Sequence, residues 1–129
     1  MSATEITNDF NATLIEYVNN MSQLFPNSLL SDNTDLVESM IKNYPDKIID
    51  QFMLYVLRYK PEIDESNVDF LLNHDFNKET YGDDSIIGYI FEAKTIWNQL
   101  TKDQQEGTFL TLQVLCYYAE QLFIIKYDK

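Results

Sequence analysis

Two residues in the chain have side chains built for nucleophilic or metal chemistry, and each occurs once: His74 and Cys116. A single histidine excludes metal centres that need paired imidazoles. A Cys-His pair would need the thiol to reach the loop that carries His74. Cys116, however, lies inside LQVLCYYAEQL, where a lone cysteine reads as a small core residue. No GxSxG, GxGxxG or GxxxxGK[ST] occurs, so there is no nucleophile elbow and no glycine-lined cradle for phosphate. The segment DFNKETYGDDSI, from Asp75, places Asp75, Asn77 and Glu79 at alternating positions, as a calcium loop does. It fails at the two demanding positions. Thr80 stands where the sharp turn needs glycine, and Ile86 where a bidentate glutamate is needed. The acids there read better as a solvated loop, with Asp83 and Asp84 placed to favour a helix N-terminus. The expectation is a non-enzyme with no cofactor and no metal.

Charge is the next constraint. The 129 residues carry 21 acids against 9 bases, a formal charge of −12. That argues against direct nucleic-acid binding, which needs a basic footprint to displace counterions, and against attraction to anionic membranes. It leaves basic protein partners, or mimicry of nucleic acid. The acids concentrate between about residues 62 and 85, where Lys78 is the lone base. Asp64, Glu65, Asp69, Asp83 and Asp84 are the candidates for a decoy surface that occupies a DNA-binding or other basic partner.

These residues need a scaffold, and the apolar pattern is helical nearly throughout. Phe10, Leu14, Tyr17, Val18, Met21 and Leu24 share one face of a helix expected over about 7–23, ended by FPNS. Leu36, Val37, Met40, Ile41 and Tyr44 predict a second helix, capped from 32–34 and broken by NYPD. Pro45 is expected to open a third, carrying Ile48, Ile49, Phe52, Tyr55, Val56 and Tyr59 and closing on Arg58 and Lys60 before Pro61. Ser66 with Asp69 is read as opening a short helix through VDFLLN. Ser85 caps a fifth, on which Ile86, Ile90, Ala93, Trp97 and Leu100 follow heptad-like steps. Thr101 and Gln104 form a capping box for the last. With no strand pattern, no repeat and only three glycines, the fold class expected is all-α: a single-domain bundle, residues 1–129, of five or six helices with short loops.

The last helix is apolar almost all round. Leu112, Cys116, Ala119 and Phe123 form one stripe, with Leu115 and Leu122 beside it; Val114, Tyr118 and Ile125 form the opposite one. Glu120, Gln113 and Gln121 would be costly in hydrocarbon and no basic flank is present, so no membrane span is expected. Either the helix is central and covered on every side, or its second stripe, with Tyr117, Tyr118 and Ile125, meets a protein partner or a second copy. The start, MSATEITNDF, has neither a basic n-region nor an apolar h-region. One cysteine suits a reducing compartment, so the location expected is intracellular, and the sequons at Asn11 and Asn20 are chance matches.

The segment IWNQLTKDQQEGTFLTLQVL places Ile96, Trp97, Leu100, Thr101, Phe109, Leu112, Gln113 and Leu115 in a recurrent order. The N-terminal half adds a Phe-led helix ending in LFP, a helix ending before Pro45, then IIDQF and an ionic stretch before FLL. This patterning resembles small acidic all-α hypothetical proteins of large double-stranded DNA viruses of protists and algae. Phe109 stands where that pattern often holds tryptophan. The resemblance implies a virion-associated or infection-stage factor, located in host cytoplasm or virion, and supplies no active site.

Overall fold

The computed structural model describes residues 2–26, 34–73 and 97–127, and these are predominantly helical with no strand among them. Helix α1 spans Ala3–Leu24 and starts earlier than its apolar face alone predicts. Ser2 accepts from the Glu5 amide at 3.1 Å, and Glu5 accepts from the Ser2 amide at 3.4 Å. This is a capping box that satisfies two otherwise orphaned donors. It adds one turn and brings Ile6 into the core beside Phe10, Leu14, Val18 and Met21.

Helix α2, Thr34–Asn43, buries Val37 and packs Met40 and Ile41 against the core. Its start is held to the end of α1 by a 2.7 Å hydrogen bond between the Ser22 and Thr34 hydroxyls. Tyr44, expected on the apolar face of this helix, lies beyond its end and is exposed.

The third segment departs most from expectation. Helix α3 begins at Lys47, not Pro45, and its α-helical part ends at Gln51. Phe52–Val56 then forms a π-helical turn and Leu57–Tyr59 a 3₁₀ turn. Pro61 does not stop the chain: it sits in the first turn of helix α4, Lys60–Asp64. A proline costs a helix nothing in its first turn, because its missing N–H would have had no partner there. The break falls instead at Tyr59, the end of the 3₁₀ turn, whose backbone (φ −102°, ψ 14°) is no longer α-helical. The wide and tight turns keep Phe52 and Val56 fully buried, with Phe52 edge-on to Phe10 at a ring separation of 5.1 Å.

Helix α4 ends in a two-bond turn: the Ser66 amide donates to Ile63 O and the Asn67 amide to Glu62 O, each at 3.0 Å. This is a Schellman motif, which requires a left-handed residue after the cap. Serine fills that place, with φ +53°. Asn67, not Ser66, then caps helix α5, Val68–Asn73, by accepting from the Phe70 amide at 3.0 Å. The proposed fifth helix lies outside the described residues up to Trp97, where the chain forms a 3₁₀ turn, Trp97–Gln99. Trp97 is buried, edge-on to Phe109 at 5.6 Å.

The Thr101–Gln104 capping box is present in both directions, at 2.9 and 3.2 Å. It launches helix α6, Lys102–Tyr127, the longest element described. Its pairing with α1 is the most extensive helix contact, and α4 and the π turn also pack against it.

Candidate functional site

Among the described residues, helix α6 is not covered on every side. Phe109, Leu112, Leu115, Cys116, Ala119 and Leu122 enter the core. On the opposite side Leu110, Tyr117 and Ile124 are 62%, 52% and 42% exposed. They follow one another at seven-residue steps, so they form a ridge nearly parallel to the helix axis.

Of the residues expected to form an interface, Tyr117 lies on this ridge and its ring meets that of Tyr118 at 5.7 Å. Tyr118 itself is half-buried and packed against the core. Ile125 is exposed beside Ile124. Phe123, expected in the core stripe, is exposed as well and tilts against Tyr127 at 5.1 Å. The pattern missed Leu110 and Ile124, although both stand seven positions from Tyr117 and that interval was the available signal.

Two grooves flank the Leu110 end of the ridge. One, of about 350 Å³, runs between α1 and α6 and is lined by Thr13, Glu16, Tyr17, Asn20, Leu110 and Val114 among others. The other, of about 410 Å³, is lined by Ser66, Trp97, Lys102, Glu106, Leu110 and Gln113 among others. At the far end of α6, Lys126 pairs with Asp50 at 3.6 Å, beside exposed Leu54, Phe123 and Tyr127.

Among the described residues, Cys116 and Tyr17 are held protonated at neutral pH. Burial pushes the Cys116 thiol up to about 12, with Asp64 and Glu120 adding to the rise and Lys60 opposing it. At neutral pH so buried a thiol is neither nucleophile nor soft ligand. Burial likewise raises the Tyr17 phenol to about 12, against a smaller lowering from its hydrogen bond with Thr108. Among the described residues no three His, Cys, Asp or Glu side chains converge as a metal site. His74 and the stretch resembling a calcium loop lie outside the described residues.

Of the candidate acidic surface, Asp64, Glu65 and Asp69 are exposed, while Asp83 and Asp84 lie outside the described residues. Asp64 is not a free charge: it pairs with Lys60 at 2.7 Å. That hydrogen bond raises the Lys60 ammonium above its ordinary value, with desolvation opposing. The sequon residue Asn11 is buried and donates to Pro45 O at 2.9 Å, so its amide is withdrawn from any modifying enzyme.

Helix α6 is also the one described helix long and apolar enough to cross a membrane; 39% of its most apolar window is buried within the fold. Comparison with protein-family models, with curated proteins and with solved structures finds no match for the chain.

Proposed function

We propose that this chain is a non-enzymatic helical module that works by protein contact through the open face of α6. The scaffold this reading needs is a single domain of five or six bundled helices that leaves one side of its longest helix free. The observation that carries it is the ridge: Leu110, Tyr117 and Ile124 are large, apolar and exposed at heptad spacing, where a soluble surface helix ordinarily carries polar residues. The viral resemblance adds a setting, a virion-associated or infection-stage factor in host cytoplasm or virion. Neither catalysis nor direct binding of nucleic acid or membrane is part of the proposal.

Affinity capture of the tagged chain, washed in parallel at low and high salt, tests it, with oligomeric state measured by sedimentation. A partner or second copy retained in high salt and lost in Tyr117→Glu supports the reading. Retention unaffected by Tyr117→Glu sinks it. The alternative, an acidic decoy for a DNA-binding or other basic partner, draws on exposed Glu65 and Asp69. It requires capture that fails in high salt, because exposed charges are screened beyond about 8 Å at physiological ionic strength.

A further inference from the structure

The rim of the ridge has a definite sign. Asp103 and Glu106 stand two turns and one turn before Leu110 on the exposed side of α6, and Glu120 follows Tyr117 by one turn. Glu16 is the charged residue in the lining of the α1-side groove. Against these four acids, Lys102 is the base in the lining of the other groove and Lys60 lies within electrostatic reach of Glu120, so the acids remain in excess. Resting on the protein-contact reading, we propose that the Leu110–Tyr117–Ile124 ridge, with the grooves beside Leu110, docks a basic amphipathic helix of a partner protein.

The shape argues for a helix. A ridge of seven-residue steps with grooves on both sides of its Leu110 end offers what an apolar i, i+3, i+4, i+7 stripe fills, ridges into grooves. Lys or Arg flanking that stripe would meet the acidic rim and bury aliphatic stems along the apolar floor. The charge argues against a second copy, since an isologous contact would set the same acidic rims of a −12 chain against each other.

Three labelled peptides of about 18 residues, enough helix at 1.5 Å per residue to follow the ridge, test the inference by fluorescence anisotropy. One is an amphipathic Leu/Lys helix, one a scramble of identical composition, and one an amphipathic Leu/Glu helix. The amphipathic Leu/Lys peptide is expected to bind at least about tenfold more tightly than either control. Leu110→Ser, checked for unchanged helicity, should weaken it by about tenfold. Glu16→Gln with Glu106→Gln should weaken it and flatten its salt dependence. Equal binding of the scramble, indifference to Leu110→Ser, or no binding by any peptide overturns the inference. Equal binding of the Leu/Glu peptide, lost in Tyr117→Glu, overturns the basic partner while leaving the contact face standing.

Discussion

Gln113 reaches out of the last helix and donates to the main-chain carbonyl of Ile63, fifty positions earlier, at 3.0 Å. The same carbonyl accepts from the Ser66 amide, and the Gln113 amide also lies 3.4 Å from the Asp64 carbonyl and the Ser66 hydroxyl. One side chain thus ties the turn at the end of α4 to the helix that carries the ridge. A position that reads as a polar edge on the wheel is in fact a cross-link.

Replacing Gln113 should therefore cost more than surface polarity does. Gln113→Ala removes a donor but leaves Ile63 O its bond from Ser66, so a loss of about 1 kcal/mol is expected in urea unfolding. Gln113→Glu is worse at neutral pH, because it sets a carboxylate against carbonyl oxygens. Its folded-state pKa must rise above the unfolded value of about 4.3. The variant should then be most stable below that pH and lose stability as pH rises through the folded pKa. A Gln113→Glu protein no less stable at pH 7 than at pH 4, relative to its parent, would refute the cross-link.

Ser66 occupies the left-handed position of the Schellman turn at φ +53°, a conformation costing an L-residue about 1–2 kcal/mol. Glycine adopts it freely but loses more chain entropy on folding. Ser66→Gly should accordingly stabilise by about 0.5–1 kcal/mol, seen as a higher Tm. Ser66→Val, β-branched at positive φ, should lower it. A Tm that falls with glycine would mean that the Ser66 hydroxyl near Gln113 outweighs the backbone term.

How legible these features are in the sequence depends on whether the signal is periodic. The face of α1 and the core stripe of α6 recur at steps of three and four, so Phe10, Leu14, Val18, Leu112, Cys116 and Ala119 could be placed in the core from spacing alone. The capping box at Thr101 and Gln104 was equally legible, because it is a local motif with local geometry. Ser2 and Glu5 carry the same signature and extend α1 by the turn that the apolar count missed. Pro61 misled: proline forbids a helix interior and favours a first turn, and only the backbone at Tyr59 decides between them. The π turn at Phe52–Val56 and the strained Ser66 leave no periodic trace, since both are local conformations set by what packs around them. Tyr118 is only half open, which a wheel cannot show because it gives angles but not which neighbours exist. It leans on the core, while Leu110 and Ile124 are left outside.

Alkaline pH should unfold the protein along a predictable path. The Cys116 thiol is raised from 9.0 to about 12 and the Tyr17 phenol from 10.0 to about 12, both chiefly by burial. A group whose folded pKa is raised contributes stability that is complete below its unfolded pKa and is lost as pH climbs to the folded one. For Cys116 the window opens near pH 9 and for Tyr17 near pH 10, each with a limiting slope of about 1.4 kcal/mol per pH unit. The urea midpoint should fall steeply from pH 9 to pH 12, and Cys116→Ala should flatten the first part of that fall. An unchanged slope between pH 9 and 10 in that variant would mean the thiol is not desolvated.

The sharpest check on the open face compares near neighbours on α6. Leu115 is fully buried, whereas Tyr117, two residues on, is half exposed. In a central helix covered on every side, shortening either side chain leaves a cavity. In a helix with one free face, only the first does. Leu115→Ala should destabilise by about 2–5 kcal/mol, the transfer cost of the lost methyl groups plus the residual cavity. Tyr117→Ser should stay within about 0.5 kcal/mol of the parent, as substitutions away from the core do. Leu110→Ser should behave like Tyr117→Ser. Equal losses at Leu115 and Tyr117 would mean that the ridge is packed in the folded protein and presents nothing to a partner. A large loss at Leu115 with neutrality at Tyr117 and Leu110 would leave two large apolar side chains in water that the fold itself does not need. That is the state the proposed partner contact requires.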